Sequence, residues 1–202
     1  MNADNILPIV AYCNVMEDIK QRLLSINKIV NGYSPLGSEG QDGEVVCLLL
    51  RKVLEQLAFA SLIAHKSTYS AVYSDFARTW RAKRLLDRLA VVHPDYYPKP
   101  VAFPSVDTSS VKNMLEVKEG FLTQNEFVFL YDNCSEVLHT WNPFRVGPRV
   151  VSFDRPILEW VQRIQRLLDV HWVHLSGESD LWLIQMHQPE DGKVHAYLAT
   201  AV

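Results

Sequence analysis

The chain has 202 residues, 48% of them hydrophobic and 21% charged, with a formal net charge of -3 at pH 7. Such a composition supports one good core or two small ones and excludes intrinsic disorder, fibres and collagen. The pI near 6.2 excludes a bulk electrostatic pull toward nucleic acid, so any such contact must be local.

The three cysteines, Cys13, Cys47 and Cys134, are odd in number and form no CxxC pair. They suggest neither a disulfide framework nor a structural zinc site and are expected to be reduced thiols. The opening segment MNADNILPIVAYCNV lacks the basic region of a signal peptide, and the longest apolar run, Leu57 to Ala64, falls short of the roughly 20 residues that span a bilayer. A soluble, cytoplasmic protein without a membrane contact is the expectation.

In chain order, apolar residues from Ile9 to Ile29 recur at three-to-four spacing and predict an amphipathic helix over Asp4 to Val30. The loop NGYSPLGSEGQDG holds four glycines and a proline, so the chain must turn there. A second helix is predicted from Glu44 to Lys66; its second half is apolar all round, which suits the middle of a bundle. A third is predicted from Ser70 to Val92, stopping at His93-Pro94. The following stretch HPDYYPKPVAFPSV carries four prolines, which argues against regular helix or central strand and for an ordered extended crossing. Thr123 followed by Glu126 reads as a capping box that opens a helix ending at Asn142-Pro143. Its buried stripe would be Phe127, Leu130, Tyr131, Cys134, Val137, Leu138 and Trp141.

A last helix is expected from Arg155 to Leu168, after which the period changes. HWVHL, LWLIQMH and VHAYLATAV read as three strands joined by turns, an antiparallel meander. The expected fold is therefore α+β: a mainly helical bundle over residues 1–150, with a helix and three-stranded sheet over 151–202 packed on it.

Chemistry-bearing residues fall into four groups. Glu44, Arg51 and Glu55 share a narrow arc of the second helix, widened by Lys52 and Gln56. The arc reads either as a solvated stripe or as one wall of a groove, where Arg51 binds an anionic group and Glu55 holds its guanidinium in place. On the fourth helix Asp132, Ser135 and His139 share one edge, with Asn142 just beyond. His139 near a helix C-terminus suits an acid, a base or a charged donor, or simply a capping histidine. No nucleophile elbow accompanies the Ser-His neighbours, so a hydrolase triad is not indicated.

Arg81, Arg84 and Arg88 project within about 60° of one another on the third helix, with Arg78 nearer the apolar edge and Trp80 on another face. This is the best local basic surface, and Arg145, Arg149 and Arg155 add to the count. Phosphate contact and plain charge balancing both fit it. Trp80, Lys83, Tyr131 and Ser135 complete the candidate binding set. The fourth group, His171, His174, His187 and His195, crowds the predicted sheet. With tight turns, alternation would put His174 and His187 on one face and His171 and His195 on the other, so no metal site is expected. No cofactor is implied, since neither GxGxxG nor GxxxxGK occurs.

The segments RKVLEQLAFASLIAH, WRAKRLLDRLAVVHPDYYPKP and LTQNEFVFLYDNCSEVLHTWNPF together resemble an uncharacterised bacterial helical family with a His-x-x-Asn-Pro ending, over about Glu44 to Phe144. More distantly the helices resemble the HEPN group, helical bundles of bacterial toxin-antitoxin and phage-defence systems that include metal-independent ribonucleases and work as dimers. Those enzymes carry an Arg and, four to six residues later, a His on one helix. Here Ser135, Cys134 and Asn133 precede His139 at those places, and Arg51 is followed by Gln56 and Leu57.

Two functions follow. The first is a non-catalytic binding or assembly module, a subunit of a bacterial defence or toxin-antitoxin system with a protein partner or a second copy of itself. The second, implied by the resemblance, is a ribonuclease in which His139 is the acid or base, Arg51 stabilises charge and Asn142 positions the RNA phosphate.

Overall fold

A computed structural model describes residues 3–75, 81–93, 95–103, 114–140, 144, 150–174 and 181–199. Six helices are described: α1 (Ala3–Val30), α2 (Glu39–Ala64), α3 (Lys66–Val72), α4 (Ala82–Val92), α5 (Gln124–Leu138) and α6 (Ile157–Leu168). They accompany β1 (Lys99–Ala102), β2 (Leu115–Glu116), β3 (Val170–His174), β4 (Leu181–Gln185) and β5 (His195–Ala199). The α+β class is as expected, but the sheet has five antiparallel strands in the order β2-β1-β3-β4-β5 rather than three. Strands β3, β4 and β5 form the expected meander. The other two come from before residue 150, so sheet and bundle share both halves of the chain around one continuous apolar core.

The local reasons are legible. At the end of α1, Gly32 adopts φ 101° and the Tyr33 N–H bonds back to the Lys28 carbonyl at 3.0 Å, a left-handed exit that glycine makes without strain. Helix α2 begins at Glu39, five residues before the expected start. The Asp42 carboxylate accepts from the Ser34 hydroxyl and from the Leu36 N–H. That bridge ties the preceding loop to the first turn and places negative charge at the positive end of the helix.

The predicted third helix is two: α3 ends at Val72, Tyr73 to Asp75 leave helical geometry, and α4 starts at Ala82. The capping box is present, with the Glu126 N–H donating to Thr123 Oγ1 at 3.3 Å and the Thr123 N–H to the Glu126 carboxylate at 2.9 Å.

Strand β1 corrects the reading of the proline-rich stretch, since it lies between β2 and β3 although it contains Pro100. The ring is tolerated because Pro100 uses its carbonyl on the β2 side, accepting from Val117 N–H at 3.2 Å. An extended residue points its N–H to the same side, so the missing donor falls beyond the two-residue β2 ladder and costs β3 nothing.

Helix α1 is latched to the sheet at two places. Fully buried Tyr12 donates its hydroxyl to His171 Nε2 at 2.9 Å, and His171 Nδ1 donates to the Leu168 carbonyl at 2.8 Å. Nearby, buried Lys20 pairs with Glu17 at 2.7 Å and donates to the carbonyls of Met186 and Gly192. Glu17 in turn accepts from Val194 N–H. These contacts hold the connection between β4 and β5, whose nine residues, 186–194, replace the tight turn expected there. That length shifts the register, so His195 pairs with Gln185 and shares a sheet face with His174, opposite His171, while His187 lies past the end of β4.

Tyr12→Phe leaves a buried imidazole nitrogen without its donor, and equilibrium urea unfolding will show a loss of about 1–3 kcal/mol. Burial also lowers the pKa of His171 to about 4 and that of His65, at the C-terminus of α2, to about 4. Both lie below the unfolded value, so between pH 6.5 and 4 the unfolded chain binds more protons than the folded one. Stability is therefore full above pH 6.5 and falls on acidification, by roughly 3 kcal/mol per histidine across that window. Denaturation midpoints at a series of pH values will check this; His171→Phe, which still packs, reduces the slope by one proton's worth.

Candidate functional site

The polar arc of α2 meets α5 and α4 in a groove of about 480 Å³ lined by Arg51, Arg81, Lys83, Arg84, Asp87, Tyr131, Asp132 and Ser135. Four cations face two carboxylates there. Burial of Leu50, Val53, Leu54 and Leu57 fixes the rotation of α2 and leaves Arg51 and Glu55 half-buried at the edge of the core. Burial of Phe127, Leu130 and Cys134 does the same for α5 and brings Tyr131 against them.

Arg51 is held from two sides of the groove edge. Its Nε donates to Glu55 Oε1 at 3.1 Å, and its guanidinium carbon lies 5.2 Å from the centroid of the Tyr131 ring. The Tyr131 hydroxyl reaches the same carboxylate oxygen at 3.5 Å, and Lys52 Nζ takes the other at 3.0 Å. Partial burial works against the Arg51 charge, but Tyr131 and Glu55 outweigh it and raise its pKa above the ordinary arginine value. Glu55 thus orients the guanidinium and Tyr131 supplies a flat wall, an arrangement that suits a planar or tetrahedral oxyanion.

The opposite wall comes from α4. Arg81 caps it, Arg84 lies one turn on, and Lys83 bridges to α5 by donating to both Asp132 oxygens at 3.1 and 2.9 Å. Arg88 leaves the expected basic cluster: it pairs with Asp75 at 2.8 Å and lies 4.5 Å from the Tyr73 ring centroid. Arg155 is likewise structural, bonded to Glu159 and placed over Trp160. Trp80, Asn142, Arg78, Arg145 and Arg149 lie outside the described residues.

Of the three catalytic candidates, Arg51 lines the groove, His139 does not, and Asn142 lies outside the described residues. Ser135 donates its hydroxyl to the Tyr131 carbonyl at 2.7 Å, which commits its proton to the helix backbone. His139 caps α5, its N–H donating to the carbonyls of Ser135 and Glu136, one turn beyond the last residue lining the groove. Glu44 is exposed two turns before Arg51 and does not line it either.

Two clusters were not visible in the sequence. His65, His93 and His174 gather from α2, the end of α4 and β3, with ring centroids 4.6 Å apart for the first pair and 6.3 Å for the second. Among the described residues no three His, Cys, Asp or Glu side chains are disposed to hold a metal ion. The other is the pair of buried cysteines, Cys47 on α2 and Cys134 on α5, which belong to the same apolar core and are not joined by a disulfide. A larger opening of about 600 Å³ between α1 and α6 is lined by Lys20, Arg163 and Arg166. These cations are engaged by the carbonyls of Met186, Phe121 and Glu119 respectively, which leaves that opening less suited to an anion.

Glu55→Gln removes the charge that Arg51, Lys52 and Tyr131 share, and a cost of about 1 kcal/mol is expected in urea unfolding. Lys83→Ala, which breaks an exposed pair, will stay within about 0.5 kcal/mol of the parent.

In comparisons with known proteins, the chain matches no family model, no curated protein and no solved structure. No helix among the described residues is long and apolar enough to cross a membrane.

Proposed function

We propose that the protein is a non-catalytic binding module whose groove between α2, α4 and α5 takes an anionic segment of a partner. The observation that carries this reading is the convergence of Arg51, Arg81, Lys83 and Arg84 from two helices around the Tyr131 ring, with Glu55 holding Arg51 from behind. Cations fixed on rigid helices lose little freedom when an oxyanion arrives, so they bind it better than a solvated stripe would. Within this reading the chain serves as a subunit of a bacterial defence or toxin-antitoxin assembly, as its resemblance to the HEPN group implies. A non-catalytic role is favoured over a nuclease because His139 caps α5 and does not line the groove beside Arg51.

Fluorescence anisotropy with two labelled probes, a glutamate-rich peptide and a single-stranded RNA oligonucleotide, tests the proposal. Binding of at least one is expected, weakening with added salt. Arg51→Gln and Arg84→Gln, each folded by circular dichroism, are expected to lose roughly tenfold in affinity apiece, as loss of one charge-assisted contact implies. Absence of binding by either probe, or affinity unchanged in both variants, overturns it. RNA cleavage in EDTA that disappears in His139→Ala would replace it with the nuclease reading.

A further inference from the structure

We propose that His93 is a proton-sensitive latch: protonation of its ring opens the connection from α4 to β1 and releases residues 95–98 from the end of α2. The latch is one hydrogen bond. The Asp95 N–H donates to His93 Nδ1 at 3.1 Å, which requires that nitrogen to be bare and puts the proton of the neutral ring on Nε2. An imidazolium carries a proton on both nitrogens and accepts at neither, so protonation sets two donors against each other.

The position of His93 makes that bond matter. Its ring centroid lies 4.6 Å from that of His65, which is 1% exposed at the end of α2, and 6.3 Å from that of His174 on β3. His65 donates its Nδ1 proton to the Ser61 carbonyl at 3.0 Å, which leaves Nε2 bare, and that nitrogen has no hydrogen-bond partner among the described residues. Asp95, Tyr96, Tyr97 and Pro98 line a cavity of about 10 Å³ at His65, together with Tyr12 of α1 and Trp172 of β3. Such a space holds one water at most. The burial of His65 therefore depends on residues 95–98 staying in place, and His93 Nδ1 is one of the contacts that keep them there.

A positive charge on His93 is not shared inward. His65 stays neutral, because burial first and the neighbouring His93 and His174 next lower its pKa to about 4. The other charged or titratable groups facing the cluster are His174 of β3, Asp95, and Lys99 of β1, with Tyr12, Tyr96 and Tyr97, whose hydroxyls burial keeps protonated. Lys99 bonds the Asp95 carboxylate at 2.7 Å and holds it ionised on the exposed side of the turn. The protonated ring is drawn outward to that carboxylate and gives up the Asp95 N–H. This opening is local, and separate from the global loss of stability on acidification that the burial of His171 and His65 causes.

Amide hydrogen exchange of the full chain, followed by NMR and corrected for the intrinsic pH dependence of exchange, tests the proposal. From about pH 7.5 to about pH 5.5, within the range where histidines titrate, the protection of the Asp95 amide is expected to fall roughly tenfold or more, from a value below that of core Leu57 at both ends. His93→Asn keeps a side-chain oxygen that accepts from the N–H two residues on and does not titrate, so there Asp95 protection is expected to stay within about twofold. Leu57, which reports global unfolding, is expected to change equally in the two proteins. Nitrogen shifts of the histidine rings give a second reading: at the higher pH, His93 shows a bare Nδ1 and His65 a bare Nε2. Asp95 protection that does not change with pH, an equal fall in His93→Asn, Asp95 protection matching that of Leu57 throughout, or the other tautomer at His93 would overturn the proposal. The wild-type tautomer and the difference between Asp95 and Leu57 decide it even where the variant fails to fold.

Discussion

The arrangement depends on the burial of α2. Its second half is apolar on every side, with Leu50, Val53, Leu54, Leu57, Ala58 and Ala60 all buried, and a helix of that kind is stable only when other elements surround it. Helices α1, α4 and α5 supply most of the cover. Each core leucine withdrawn from water stabilises the assembly by roughly 1.5–3 kcal/mol, far more than any polar contact on the helix. The positions of α1, α4 and α5 are therefore set by where α2 is apolar, and the polar groups have to fit what remains.

What remains is one arc, which leaves the core in two directions. Toward α1, Gln56 accepts from Arg22 at 2.9 Å and donates to Asp18 at 3.3 Å. Toward α5, Arg51 and Glu55 meet Tyr131 at the edge of the groove. The first exit is saturated by a neighbouring helix. The second faces an opening lined on its far side by the α4 residues Lys83, Arg84 and Asp87, with Arg81 at the start of that helix. A locally cationic site on a chain of net charge -3 is a local device: its field reaches no further than about 8 Å at physiological salt, which suits short-range capture of a ligand rather than long-range attraction.

Much of the helical part was legible because it rests on local rules. The capping box at Thr123 survives tertiary packing unchanged, and so does most of the apolar period of α1, α5 and α6, although α5 ends at Leu138 rather than at Asn142, its expected stripe is buried only as far as Cys134, and Trp141 lies outside the described residues. The sheet was legible only where its strands are neighbours in sequence. Strand β1 escaped because Pro100 argues against an interior strand, and only the short β2 ladder makes it permissible. The single helix expected from Ser70 to Val92 failed because apolar periodicity carries no information about where it is interrupted, and the chain leaves helical geometry after Val72. For the site, Arg51 with Glu55 was readable as a one-turn pair on one arc. That Tyr131 turns from core residue to groove wall and that Arg88 leaves the cationic cluster for Tyr73 are consequences of helix packing, which no spacing along the chain encodes.

The central claim is that ligand capture takes place where α2, α4 and α5 meet. The most direct measurement is a map of backbone amide chemical shifts in the nitrogen-labelled protein as a glutamate-rich peptide or an RNA oligonucleotide is added. The account predicts shifts concentrated at Arg51, Arg84, Tyr131, Asp132 and Ser135. Shifts concentrated instead around Lys20, Arg163 and Arg166, in the opening between α1 and α6, would contradict it.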